Sequence, residues 1–395
     1  MRRTPRDSAS GLPAWLLTLA RARYVLLLLA GVLPGLWHVH SSGGVGDWAY
    51  FRAGALVLTG QTDLPPGQLY LDSPDTQIGP PALLLALPVA LLPAAVSTWT
   101  IVVLLGAALP LCCYLLERAS GERAADPRTG LTVLAGGLFA ALYWWRVSAD
   151  FTHPDDVLAV LAACLVLCWF RTRSEPWTPW VAAVVLGTAA AGKPWAIGFL
   201  PLVAAWSGPL VLRAARLAVG GLVAAAWWAP FLLAAPGTLS ALGTFRVDVW
   251  YSSPLTLLGL AGEPYPAWVR PAQFALTIAL ACVAVARRRA HLVPFAVAAG
   301  RIAVDPQAWD YYFATVAIAC LAVDLLRTRY RGPWLTLAVV FVLYDARWLA
   351  DFELAAAFQV LPLLVACAAL ATDLRPGRRT ARSLTPTRSR SWGAA

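Results

Sequence analysis

The sequence predicts an all-α, polytopic membrane protein with about twelve transmembrane helices, and three observations lead there. Hydrophobic residues make up 59% of the 395 and charged residues only 13%, where a soluble domain carries about 25% charged. Apolar runs approaching the roughly 20 residues of a membrane span recur between short polar segments. Basic residues collect in alternate connections, as they do when cytoplasmic loops retain arginine and lysine. The net charge of +10 does not point to nucleic acid, because the arginines are scattered between apolar runs.

Taken in order, the spans are expected at 24–40, 80–116, 130–147, 155–170, 178–191, 195–206, 214–235, 270–286, 291–304, 311–326, 334–350 and 353–372. The first is read as a retained span, since no small-residue cleavage site follows it. Residues 80–116 are too long for one straight helix and are broken by Pro80, Pro81, Pro88 and Pro93. One span preceded by a kinked, partly inserted segment is expected there. Residues 178–206 form a short hairpin whose turn is Gly192-Lys193-Pro194, which holds the only lysine of the chain. The connections assigned to the cytoplasm carry 24 basic and 7 acidic residues, against 7 and 14 on the other side. Both termini are therefore cytoplasmic, with an N-terminal segment 1–23, a membrane domain 24–372 and a basic, disordered tail 373–395. The tail suits contact with anionic lipid heads.

The seven cysteines lie in apolar runs and read as small apolar side chains. Cys164 and Cys168 are one helical turn apart without accompanying histidine, and His38 and His40 have no third ligand, so neither pair predicts a metal. No cofactor is expected.

The polar residues of the outer connections mix acids, bases and aromatics. Asp47, Arg52 and Tyr70 fall in the first, Asp150, His153, Asp155 and Asp156 in the second, and Lys193 at the hairpin turn. Arg246 and Tyr265 follow in the fourth, and Arg301, Asp305, Asp310, Tyr311 and Tyr312 in the fifth; Asp345, Arg347 and Asp351 belong to the sixth. Residues 47–59 have helical spacing, with Trp48, Phe51, Ala55 and Leu58 on one face, so a short helix lying in the membrane interface is expected. Asp47 is either its cap or a base held at the positive end of the helix. Asp155 and Asp156 either cap a span or orient substrate. His153 is a hydroxyl or phosphate ligand or a plain loop histidine, and Lys193 binds an anion or snorkels to the headgroups. Asp305 ends a helix or joins the site, and Tyr311 and Tyr312 belong to an interfacial belt or stack on a sugar.

The order Asp47, "YFRAGALVLTGQ", Leu69-Tyr70 and "GPPALLLALPVALLP", followed by "HPDD" at 153–156, "AAGKPWAIGFLPL" around 192 and "DPQAWDYY" at 305–312, resembles a known family. It is similar to the polyprenol-phosphate-mannose-dependent alpha-mannosyltransferases of actinobacteria, integral membrane enzymes of the GT-C superfamily, over about residues 20–330. Gly79 stands where members often carry an aromatic. The resemblance implies a GT-C-like catalytic domain at 24–372 in the bacterial cytoplasmic membrane, with its site facing outward. It implies Asp47 as catalytic base, and Arg52, Tyr70, His153, Asp155, Asp156, Lys193, Arg301, Asp305, Tyr311 and Tyr312 as substrate contacts. The implied partners are a polyprenyl-phosphate sugar donor, a lipid-linked glycan or glycolipid acceptor and membrane lipids, and no nucleic acid. The chemistry agrees independently: a lipid-phosphate sugar is already activated, so one base and one or two cations suffice. An arabinosyl-type transferase, a lipid or solute transporter and a non-catalytic partner of an envelope complex are the competing expectations. A transporter predicts ionisable residues in mid-span, whereas here they fall at span ends.

Overall fold

The computed structural model describes residues 11–43, 45–327, 332–348 and 351–372. Arg2, Arg3 and Arg6, Gly44 and the basic tail 373–395 lie outside the described residues, as do the side chains of Asp345 and Arg347. Among the described residues there is helix and no strand beyond one isolated bridge between Asp248 and Pro264. The helices are α1 Ala14–Ser42, α2 Trp48–Leu58, α3 Leu69–Asp72, α4 Pro80–Ala90, α5 Ala94–Ala119, α6 Pro127–Trp145, α7 Pro154–Thr172 and α8 Thr178–Gly192. They continue with α9 Leu210–Ala234, α10 Thr238–Thr244, α11 Val269–Ala286, α12 Val293–Ala303, α13 Tyr312–Leu326, α14 Trp334–Trp348 and α15 Phe352–Thr372.

Among the described residues, six helical segments are long and apolar enough to cross a membrane: Ala14–Ser42, Ala94–Ala119, Pro127–Asp150, Leu210–Ala234, Val269–Ala286 and Phe352–Ala371. This is the character of a multi-pass membrane protein, but it is half the expected count of twelve. The shortfall has physical causes. Helix α7 has the length, at 19 residues, but places Asp155 and Asp156 in its first turn and Arg171 in its last. The other expected spans are apolar helices of 10–17 residues.

Residues 80–116 divide as their prolines require. Pro80 and Pro81 open α4, where a missing N–H costs nothing, and Pro93 sets the start of α5. At Lys193 the chain leaves α8 and continues as a 3₁₀ helix, Pro194–Ala205. A 3₁₀ rise of about 2.0 Å per residue gives its twelve residues a length of about 24 Å, close to the roughly 22 Å of the 15-residue α8. The two arms lie side by side, since Ala183 of one and Leu200 of the other both approach Gly220 of α9. The expected hairpin is present.

Helix α2 matches the expected 47–59, but its apolar face is not free to lie on lipid. Trp48, Phe51 and Ala55 are buried, Gly54 sits against Leu83 of α4, and the Trp48 indole donates to Ser97 Oγ at 3.0 Å. The double-proline helix supplies, within the chain, the apolar partner that the sequence pattern assigned to the membrane. At the centre of the bundle every residue of α13 is buried, including Asp324, whose carboxylate accepts from Leu335 N–H and from the Thr336 N–H and hydroxyl at the start of α14.

The connections gather at two poles. At one, Arg23 pairs with Glu117, Arg123 donates to the Arg327 carbonyl, Arg171 to the Ala119 carbonyl and Arg289 to those of Ala369 and Leu370. These are the arginine-rich segments that charge alone assigns to one side. The other pole holds the candidate site.

Candidate active site

The site begins with a backbone clamp. Gly46 N–H donates to the Asp150 carbonyl at 3.0 Å and Asp47 N–H to that of Phe151 at 2.8 Å. A Cβ on Gly46 would stand 2.4 Å from the Asp150 oxygen, so only glycine admits this approach. On the facing strand of chain, α6 ends in a π turn, Arg146–Asp150. Thr152 follows with φ +53, a costly conformation for a β-branched residue. Its hydroxyl donates to the Ala149 carbonyl at 2.8 Å, and His153 N–H donates to that of Val147 at 2.8 Å. These bonds hold His153 where its Nε2 lies 3.0 Å from Asp47 Oδ2. Asp47 occupies the cap position of α2 but its carboxylate bonds no helix N–H. Of the two expectations for Asp47, the structure discards the cap.

From His153 a buried chain of charges continues. Nδ1 lies 3.2 Å from Asp155 Oδ1, and Lys193 Nζ stands 2.7 Å from Asp155 Oδ2 and 2.9 Å from Asp156 Oδ2. Arg301 Nη1 donates to Asp156 Oδ1 at 2.7 Å, and the Trp195 indole donates to the same oxygen at 2.9 Å. The Arg301 guanidinium lies 3.7 Å from the centre of the Tyr312 ring and 4.3 Å from that of Trp195, a cation–π arrangement. Tyr311 stacks on the His153 ring at 4.4 Å and 18°. Gln273 Nε2 joins the Arg301 carbonyl (2.9 Å) to Asp305 Oδ2 (3.0 Å), and Arg270 lies 3.3 Å from Asp305 Oδ2.

Lys193 points inward and does not snorkel. Its turn is fixed by Gly79, whose N–H donates to the Gly192 carbonyl at 3.0 Å and whose Cβ, were there one, would stand 1.8 Å from the Ala191 oxygen. No aromatic fits here, which explains Gly79. Gly79→Ala is expected to cost about 1–3 kcal/mol by overpacking against backbone, read as a fall of several degrees in Tm of the detergent-solubilised protein; an unchanged Tm would refute this packing.

Asp47, His153, Asp155, Asp156, Lys193, Arg301, Asp305, Tyr311 and Tyr312 are thus brought together. Two expected contacts are not. Arg52 donates to the Ala90 carbonyl at 3.1 Å. Tyr70 is wholly buried, its hydroxyl on the Ile78 carbonyl at 2.7 Å and its ring against Trp228 and Phe231. Both serve packing. Tyr311 and Tyr312 are buried beneath His153 and Arg301, so neither offers a free face to a sugar. Trp195, Arg270 and Gln273 were not anticipated. Trp195 follows Lys193 by two residues, a signal available in "GKPW"; Arg270 and Gln273 open an apolar helix and give none.

The ligand atoms of His153, Asp155 and Asp156 lie within 4.8 Å of one another, but Lys193 and Arg301 already stand on these carboxylates, and a metal ion would have to displace them. Three carboxylates, those of Asp47, Asp155 and Asp156, face three bases, His153, Lys193 and Arg301. Burial opposes the charge on Lys193, but Asp155 and Asp156 outweigh it and raise its pKa. Burial would lift Asp305, yet Arg270 and Arg301 hold it below the usual carboxylate range. For His153, burial and Lys193 oppose protonation; the carboxylates of Asp155 and Asp47 prevail and raise its pKa above 6.5. A raised folded value means stabilisation that is complete below the ordinary histidine range and lost as pH rises through the raised value. Tm is therefore expected to decline as pH rises above the ordinary histidine range, and to decline less in His153→Gln; equal slopes would remove His153 from the account.

No family model, no curated protein sequence and no solved structure matches this chain.

Proposed function

We propose that the protein is a glycosyltransferase that moves mannose from a polyprenyl-phosphate sugar to a lipid-linked glycan or glycolipid, with inversion, on the outer face of the cytoplasmic membrane. One observation carries the reading. Of the carboxylates in the charged chain, only Asp47 is open, with 43% of its side chain exposed, while Asp155, Asp156 and Asp305 are at 2% or less; among the cations Arg301 is at 3%, Lys193 at 14% and Arg270 at 37%. A buried, charge-matched network that ends in one accessible carboxylate is suited to general-base chemistry on a substrate arriving from outside.

The step balances. Asp47 takes the proton of the acceptor hydroxyl, and the acceptor oxygen bonds to the anomeric carbon. The bond from that carbon to the phosphate oxygen breaks, its electron pair leaving with the phosphate. The donor phosphate gains one negative charge as Asp47 loses one, so the network turns from neutral to singly positive when the leaving group needs a cation. This preorganised compensation costs no rearrangement in a water-poor site. Lys193 and Arg301 act here as buried charges, each with a donor committed to a carboxylate, Asp155 for Lys193 and Asp156 for Arg301.

The test is transfer of labelled mannose from synthetic polyprenyl-phosphate mannose to extracted membrane lipids by the purified protein. Label in a lipid or glycan fraction supports the reading. Folded protein that transfers neither mannose nor arabinose from such donors would sink it in favour of transport.

A further inference from the structure

We infer that His153 is held as an imidazolium between Asp47 and Asp155 and acts as the positioning residue of the base, neither accepting the acceptor's proton nor binding sugar. The inference rests on the reading of Asp47 as the base and assigns its partner a charge and a task.

Geometry carries it. Both ring nitrogens face carboxylate oxygens, Nε2 to Asp47 at 3.0 Å and Nδ1 to Asp155 at 3.2 Å. A neutral imidazole has one N–H and one lone pair, so it would set a lone pair against one carboxylate. Only the doubly protonated ring donates to both. The neighbouring elements supply acids and bases together, with Lys193 opposing the charge on the ring. From α7 itself come Asp155 and, behind it, Asp156; from the start of α2, Asp47; from the hairpin turn, Lys193; from the segment before α13, Tyr311; and from the end of α12, Arg301 on Asp156. Three acids then meet three cations, and the network is neutral only with His153 charged. Tyr311 stacked on one side and Phe51 edge-on at 6.0 Å leave the ring little freedom, and it is 8% exposed.

Two consequences follow for Asp47. Its Oδ2 is engaged by His153, which leaves Oδ1 for the acceptor hydroxyl and fixes the carboxylate plane. A doubly protonated ring has no site for another proton, so the proton taken from the acceptor stays on Asp47. When the ring becomes neutral at high pH, its single remaining N–H cannot serve both Asp47 and Asp155, and the network becomes singly negative, repelling a phosphate donor. Activity should therefore have an alkaline limb that belongs to His153.

The experiment has two arms on the purified full chain. ¹⁵N-histidine NMR reads the charge directly, with His153 assigned by its disappearance in His153→Gln. Both nitrogens protonated at pH 7 are expected; one unprotonated nitrogen there overturns the inference. The pH–rate profile of transfer reads the task. His153→Gln is expected to lower kcat by about 10–100-fold, to leave KM for donor and acceptor within about twofold and to abolish the alkaline limb. A raised KM at unchanged kcat would make His153 a substrate ligand, and a retained alkaline limb would assign it elsewhere; either overturns the inference. If His153→Gln does not fold, Asp47→Asn should shift the ring's titration downward by about one unit or more, and an unmoved titration overturns the inference. A wild type without transfer sinks the base reading alone, and the NMR arm still decides the charge of His153.

Discussion

Asp47→Asn is expected to lower kcat/KM by about 10²–10⁴-fold, the range that a general base contributes. The substitution keeps size and shape, and its carbonyl oxygen still accepts from His153 Nε2, so the clamp of Gly46 and Asp47 on Asp150 and Phe151 should persist. What disappears is the single exposed proton acceptor of the network. Initial rates compared with thermal melting separate the two effects: rate lost with Tm within a few degrees supports the assignment. Equal rates would show that Asp47 only joins two segments of chain. The loss is expected in kcat, because Asp47 meets the acceptor proton mainly in the transition state.

Lys193→Met is expected to produce the largest loss of stability, about 3–5 kcal/mol, as is usual when one partner of a buried ion pair is removed and the other stays charged. Its ammonium is the common contact of Asp155 and Asp156, both essentially inaccessible. Without it, Arg301 and His153 alone face three carboxylates. The readout is the fraction of detergent-extracted protein that elutes as a monodisperse peak, together with Tm. Lys193→Met combined with Asp155→Asn restores the balance of charge and should recover part of the loss; this double variant distinguishes charge imbalance from lost side-chain volume. A Lys193→Met protein as stable as wild type would return Lys193 to the membrane surface.

Local signals in the sequence were legible where a helix must start or stop. Pro80-Pro81, the break before Ala94, the Lys193 turn and the bounds of α2 all depend on a few adjacent residues, and the structure keeps them. The division of loops by charge was also legible, because the arginines of one pole meet each other's segments there. Contacts across long separations were not. Arg301 reaches Asp156 across 145 positions, and nothing in "AAGRIAV" says that its guanidinium turns inward. The apolar stripe of α2 was read as facing the membrane, but periodicity cannot tell lipid from a neighbouring helix, and α4 claims it. Arg52 and Tyr70 carry the chemistry of a site and spend it on the backbone of their own region, at Ala90 and Ile78. Among the described residues, only six of the twelve expected spans have the length and apolarity of a crossing, for a related reason. Helices such as α8, α12 and α13 are short because their ends hold the polar network, so apolar length alone undercounts or overcounts crossings.

The most direct measurement is the stereochemistry and stoichiometry of one turnover with a β-linked polyprenyl-phosphate mannose. A single displacement driven by Asp47 predicts an α-linked product and one polyprenyl phosphate released per mannose transferred, both absent in folded Asp47→Asn. A β-linked product, phosphate release unmatched by transfer, or turnover that survives the loss of the Asp47 carboxylate would contradict it.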